Sequence, residues 1–356
     1  MYRAYVKNAL ALNEKPTMFF RVNNATFGED LLTSKTSKFE VIENTSGVES
    51  SDVFFLLNDS GQVVYMGVVD SVEDKTINTS QMQSFYKGLW LYQQYSSAAS
   101  LEAEVAKVTE DYASGKIYGS NAIDSLMLAE KGIVSVTYSG STNKKLPSQD
   151  DNYTKDFEEF IYWLYNNYNI TFNFVLPYEW EEGDDEVGRV VISVPNYETL
   201  KISDNTHIIQ NLVPTVEIYE NNKLIVYDSE GTFRGVYYGT KNGITTDSSD
   251  ENRLKTINTN IVFSDDSIGI LEAQNLRSDM YNHYISFELI TDNKLYDFST
   301  WHLGQPLKIY HKKTIYDTVY TGYEKEVRNG VAIGKVKVSC GKVRINLTDK
   351  LNMILK

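Results

Sequence analysis

The sequence is poor in the residues that most often carry chemistry. Its 356 residues include one cysteine, Cys340, so no internal disulfide is available and no Cys/His metal-ligand spacing exists. The four histidines, His207, His283, His302 and His311, stand apart in the chain. His302 and His311 are placed to face each other across a hairpin, but two histidines alone make a poor metal site. No run approaches the ~18 apolar residues of a membrane span. The opening MYRAYVKNALALNEKPTMFF lacks the sustained apolar stretch and small-residue cleavage site of a signal peptide. There is no GxGxxG, P-loop, HExxH, GxSxG or EF-hand loop. Cations are in deficit, with 34 Lys and Arg against 48 Asp and Glu and a net charge of -14. That excludes a general nucleic-acid-binding surface, which needs clustered cations to neutralise phosphates. It leaves room for an acidic wall past which nucleic acid slides. The expectation is a chain that is not an enzyme, with no catalytic, cofactor-binding or metal-binding residues.

What is present is a repeat. Ser51 to Asp74 reads SDVFFLLNDSGQVVYMGVVDSVED, and Gly304 to Lys325 reads GQPLKIYHKKTIYDTVYTGYEK. From Val64 onward, VYMGVVDSVED lies without a gap on IYDTVYTGYEK from Ile315. Each copy is a short apolar strand, a polar turn and a long strand ending at a glutamate, Glu73 or Glu324. A barrel-like unit used twice suits a protein that fits a symmetric ring. The 26 tyrosines suit a β-rich protein with large contact surfaces, since tyrosine offers apolar area and a polar tip.

The first ~95 residues read as strands, among them Phe39–Ile42, Val53–Leu57 and Gln62–Val72. Asn58-Asp59-Ser60-Gly61 is the hairpin signal between the last two. Gly67 inside the long strand marks a bulge or a close backbone approach. Val64, Met66, Val68 and Val72 occupy one face of that strand; Val63, Tyr65 and Val69 occupy the other. A strand apolar on both faces needs cover on both, from a helix or from a neighbouring subunit. Val63, Tyr65 and Val69, with Tyr316 and Tyr320 of the second copy, are the candidate assembly-interface residues, expected to be buried only in the assembly.

Past Ser97 the period changes. Leu101, Val105, Val108 and Tyr112 predict an amphipathic helix stopped by Gly115. Phe157, Phe160, Ile161, Leu164 and Tyr168 predict a second, capped by Thr154, and a strand Ile170–Leu176 follows. Strands return from Pro214: Val216–Tyr219, Lys223–Tyr227, Thr232–Tyr238 and Tyr281–Ile290. A helix from Ser264 to about Arg277 is predicted between the last two. Lys335–Ser339, Lys342–Asn346 and a short LTDKLNMIL helix close the chain.

The acidic run Glu179–Glu186 offers paired carboxylates, and Asp247–Glu251 (DSSDE) offers oxygen ligands for calcium. A solvated loop and a plain acidic turn are the simpler readings. Trp301 reads as an interface anchor or as a core or barrel-rim residue. Cys340 reads as a small buried hydrophobe.

Three segments resemble one family. Ser37–Met82 is similar to the N-terminal barrel of the hub at the tip of siphophage tails. Tyr281–Glu326 is similar to the second barrel of that hub, and Gly341–Leu355 to its closing strand and helix. The family is related to the central baseplate hub of contractile-tailed phages and to type VI secretion spike proteins. The resemblance implies an α+β, mostly β chain with two tube-like β-barrel domains, an inserted small α/β domain and a small C-terminal β/helix element. Its expected parts are a first barrel at 1–96 completed by later strands, the α/β domain at 97–200, the second barrel region at 201–330 and the closing element at 331–356.

The resemblance also implies a function. A homotrimeric structural virion protein would adapt a hexameric tail tube to threefold symmetry, close it, and open for DNA ejection. Three chains with two barrels each would present a pseudo-sixfold ring. The implied partners are the distal tail protein or tail tube ring, the tape-measure protein C-terminus, and tail fibre or receptor-binding proteins. DNA would pass through the lumen without specific binding. The implied location is the phage tail tip, after synthesis in the host cytoplasm. Because the chain stops at Lys356, host binding and wall digestion are assigned to other proteins. The alternatives are a carbohydrate- or receptor-binding module, which needs an aromatic groove, and a peptidoglycan hydrolase, which needs carboxylates converging in a cleft.

Overall fold

The computed structural model describes residues 1–8, 15–16, 18–87, 90–91, 100–114, 135–142, 146, 155–175, 189–216, 221–228, 230–240, 243–253, 258–263 and 283–341. The chain is α+β and mostly β. It divides into two compact units, Met1–Asn196 with Gly322–Val336, and Tyr197–Thr321 with Lys337–Lys356.

The first unit is built on a closed six-stranded barrel. Its strands are β1 (Arg3–Lys7), β2 (Met18–Asp30), β3 (Thr36–Val41), β4 (Val53–Leu57), β5 (Val63–Glu73) and β6 (Thr76–Gln81). They hydrogen-bond in the order β1-β4-β5-β6-β3-β2, and β1 returns to β2 through Arg3↔Arg21 to Val6↔Met18. Closure leaves no free edge, which removes the usual liability of exposed sheet backbone.

The barrel interior is filled. Phe39 packs on Phe54 at 4.3 Å between ring centres, on Tyr65 at 5.4 Å and near Phe27 at 6.0 Å. The Tyr65 hydroxyl lies 2.8 Å from Thr79 Oγ1, so the one polar atom among these rings has a partner. Gly67 makes the expected close approach: a Cβ there would lie 2.5 Å from both the Ser80 carbonyl oxygen and the Tyr65 hydroxyl.

The outer face of β4 and β5 is covered by the same chain. Helices α1 (Leu101–Ser114) and α2 (Phe157–Tyr168) join a three-stranded sheet of β8 (Ser135–Ser139), β10 (Thr171–Val175) and β11 (Arg189–Ser193) in that cover. A two-stranded pair links β7 (Trp90–Leu91) to β9 (Lys155–Asp156). The resulting core gathers Val53, Phe55 and Val68 of the barrel with Leu101, Val105, Phe157, Phe160, Leu164 and Ile192. Strand β4 therefore alternates, sending Phe54 and Leu56 inward and Val53 and Phe55 outward. The strict alternation expected for β5 fails at its ends. Register shifts opposite Leu57 and after Val69 turn Val64 and Val72 toward the barrel interior, away from the face of Met66 and Val68.

Helix α2 starts two residues later than the sequence suggested. Asp156, not Thr154, is its N-cap, accepting from the Glu158 amide at 2.9 Å, and Asn169 ends it in the left-handed conformation. At the start of α1, the buried carboxylate of Glu102 accepts hydrogen bonds from the Thr142 amide and hydroxyl, and Glu104 accepts from the Leu146 amide. The two acids tie this part of the loop after β8 to the helix.

The second unit holds β12 (Leu200–Ser203), β13 (Ile209–Val216), β18 (His283–Ile290) and β19 (Pro306–His311). It also takes the first part of β20 (Thr314–Arg328) and the last part of β21 (Val331–Cys340). Their order is β12-β19-β20-β21-β18-β13. Numbered by position in each set, both sets run 1-4-5-6-3-2. The sequence repeat falls in register on this order, because β4–β5 and β19–β20 fill the same places. The sets differ at one seam. β1 pairs antiparallel with β4 and β2, whereas β12 runs parallel to β19 and, among the described residues, has no ladder to β13. Between β13 and β18 the chain forms a separate sheet, β16-β15-β14-β17, from β14 (Asn221–Tyr227), β15 (Phe233–Thr240), β16 (Gly243–Thr245) and β17 (Asn258–Phe263). The helix expected from Ser264, the strand expected at Lys342–Asn346 and the final helix lie outside the described residues.

Candidate assembly interface

The five candidate residues separate into two groups. Tyr65, Val69 and Tyr320 are 2%, 1% and 2% exposed in the single chain. The expectation that they are buried only in an assembly is therefore corrected. Tyr65 and Val69 belong to the barrel interior. Tyr320 sits edge-on to Trp301 at 5.8 Å and to Phe298 at 5.9 Å in the second unit. The physical reason is that β5 finds both its covers within the chain, barrel interior on one side and the α/β layer on the other. Val63 and Tyr316 differ: Val63 is 37% exposed, Tyr316 is half-buried, and its neighbour Ile315 is 54% exposed. Val69 and Tyr320, which align in the repeat, are buried alike, while Tyr65 and its counterpart Tyr316 are not.

Several charged residues meet where β2 pairs with the second half of β20, along Ala25↔Val327 to Asp30↔Gly322. Burial pushes the Glu29 carboxyl above the usual carboxylate range, against the pull of Lys325 and a hydrogen bond with Tyr323. Burial lowers the Lys325 ammonium in turn, with Glu29 opposing. Lys35 Nζ lies 3.2 Å from Glu324 and donates to the Tyr323 carbonyl oxygen at 3.0 Å. The hairpin tip Asn329-Gly330, with φ of 50° and 74°, is a two-residue turn that sequence reading passed over although Asn-Gly is the strongest such signal. Its Gly330 amide donates to the Asn23 carbonyl at 2.7 Å, and its Asn329 amide to Asn24 Oδ1 at 3.2 Å.

The remaining candidates resolve into structural roles. His302 stacks on Tyr197 at 4.7 Å, and His311 pairs with Asp204, so the two histidines have separate partners. Asp247 accepts from the Ser249 side chain and amide, which hold its carboxyl below the usual range, and Asp250 accepts from the Asn252 amide. Asp247–Glu251 is thus a turn whose acids cap their own backbone. Among the described residues no group of three His, Cys, Asp or Glu is arranged to hold a metal ion. Trp301 is 8% exposed and belongs to the core. Cys340 is buried, and burial pushes its thiol far up, where the reactive thiolate does not form. The acidic run Glu179–Glu186 lies outside the described residues. No helix among the described residues is long and apolar enough to cross a membrane.

No protein-family model matches the chain, and no curated protein matches its sequence. Solved structures do. The tail protein from Neisseria meningitidis MC58 aligns with a TM-score of 0.57 at 12% identity over 96% of each chain. The prophage tail protein gp18 from Listeria monocytogenes EGD-e aligns with a TM-score of 0.55 at 11% identity, over 99% of this chain and 98% of that one. A chain of the P2 virion baseplate in its activated conformation aligns with a TM-score of 0.51 at 11% identity, over 97% of this chain and 100% of that one. At such identities the likeness is one of fold, and it runs nearly end to end: this chain has the fold of phage tail and baseplate proteins.

Proposed function

We propose that this chain is a structural hub of a phage tail tip, a homotrimer that adapts a hexameric tail tube to threefold symmetry, closes it and opens for DNA ejection. The observation that carries the reading is the recurrence of the 1-4-5-6-3-2 strand order within one chain. A chain that presents the same six-strand arrangement twice lets three copies offer six similar faces to a sixfold ring. Neither a receptor-binding module nor a wall hydrolase needs that duplication.

The filled first barrel adds a constraint. Phe27, Phe39, Phe54 and Tyr65 occupy its interior, so it has no bore for DNA. In the proposed trimer the passage is enclosed between chains. An acidic chain suits such a wall, because DNA carries one negative charge per ~1.7 Å and a basic wall would hold it back. The partners follow from the position: the distal tail protein or tail tube ring above, the tape-measure protein C-terminus within, and fibre or receptor-binding proteins at the rim. Averaged electron micrographs of the purified protein test this. Threefold rings with six lobes around a central hole are expected, and isolated two-lobed particles alone would reject the reading.

A further inference from the structure

On the outer face of β1 and β2, beside the β4–β5 turn, lies an open groove of about 1090 Å³. At this size, and open along the surface, the groove has room for a short segment of peptide. Phe19 lies in the groove 67% exposed, 6.1 Å from Tyr5, and Leu57 also lines it. A phenylalanine left this open inside a concave surface offers an anchor site for a large apolar side chain.

The charges of the groove run against those of the chain. Among the described residues two carboxylates line it: Glu43, which holds Arg21 Nε at 2.6 Å, and Asp59. Two further cations, Arg3 and Lys15, line it without an ion pair among the described residues. In a chain with a net charge of -14, Arg3, Lys15 and Arg21 against Glu43 and Asp59 make a local excess of positive charge among the described residues. Nucleic acid is a poor fit, because two uncommitted cations neutralise few phosphates.

We propose that this groove docks an extended, acidic peptide segment of a partner protein, with a large apolar side chain placed against Phe19. The proposal does not depend on the trimeric reading, since one chain presents the whole groove.

Fluorescence anisotropy of labelled probes on the full chain tests it. The probes are a ten-residue peptide of alternating Glu and Ser with a central Trp, the same peptide with Lys for Glu, the acidic peptide lacking Trp, and a ten-nucleotide oligothymidylate. The acidic Trp peptide is expected to bind best. Arg3→Glu with Lys15→Glu is expected to weaken it about tenfold or more, as loss of charge complementarity does. Phe19→Ser is expected to weaken the Trp peptide and leave the Trp-free peptide unchanged. All three residues are exposed, so the circular dichroism of the variants should match the parent. Failure of the acidic Trp peptide to bind, equal binding of the Lys peptide, tighter binding of the oligonucleotide, or unchanged binding by the variants would each overturn the proposal.

Discussion

The side-chain amide of Gln81 hydrogen-bonds both backbone groups of Asp30, as a neighbouring strand would. Its Oε1 accepts from the Asp30 amide, and its Nε2 donates to the Asp30 carbonyl at 3.0 Å and to the Tyr162 hydroxyl at 3.1 Å. Both residues are buried, so the end of β2 is satisfied by a side chain from the end of β6. Gln81→Ala would remove one buried hydrogen bond to the Asp30 amide and one to its carbonyl, each worth about 0.5–1.5 kcal/mol net. Urea unfolding is expected to show a loss of about 1–3 kcal/mol on that basis. A change below about 0.5 kcal/mol, the size usual at unremarkable surface positions, would show the pair to be dispensable.

Backbone contact at Gly28 is closer still. A Cβ there would stand 1.9 Å from the Tyr323 carbonyl oxygen, where backbone cannot yield cheaply. Gly28→Ala is expected to disrupt the β2–β20 ladder and to cost more than about 3 kcal/mol, among the larger single-residue effects. Gly235 is the control, since a Cβ there meets nothing nearer than 3.8 Å. Hydrogen exchange should show faster exchange along Ala25–Asp30 in Gly28→Ala and none of this in Gly235→Ala.

Glu29 makes stability depend on pH in an unusual direction for a carboxylate. Burial raises its pKa above the unfolded value, with Lys325 and Tyr323 opposing. A group with a raised folded pKa binds more protons in the folded state, so stability falls as pH rises from the ordinary glutamate range through the folded value. Glu29→Gln keeps the neutral form at all pH. Whatever constant offset the altered Lys325 contact adds, the stability of the variant relative to the parent should increase between pH 4 and pH 7. A difference that stays flat or declines would contradict the assignment.

The buried and exposed candidates should respond differently to charge. Tyr65→Glu and Tyr320→Glu place a carboxylate in a packed core and are expected to unfold the unit concerned. Val63→Glu and Tyr316→Glu are expected to leave circular dichroism unchanged and, if these positions face another copy, to yield folded monomers. Tyr65→Glu remaining folded would contradict the filled barrel. Fully assembled Val63→Glu and Tyr316→Glu would remove both from the interface.

Much of the strand plan could be read from the sequence, because apolar alternation and turn chemistry act locally. Strand β4 appears with the expected limits, and Asn58 organises the turn after it by accepting from the Ser60 and Gln62 amides at 3.0 and 2.9 Å. The repeat was legible for the same reason. The destination of each apolar face was not. A face turned into a barrel, a face under a helix and a face against another chain share one pattern, so Tyr65, Val69 and Tyr320 read as interface residues and proved to be core. The bulges beside Leu57 and after Val69 carry no local signature in this chain, and they redirect Val64 and Val72. The Gln81–Asp30 contact joins residues 51 apart and depends on barrel closure. Sequence periodicity carries no trace of such a contact.

The central claim is that three copies of this chain form one hub. Light scattering on the purified full chain, followed over a dilution series, measures this most directly. The account predicts a species of three times the 40.6 kDa chain mass. A single species of 40.6 kDa across the series, with the fold intact by circular dichroism, would contradict it.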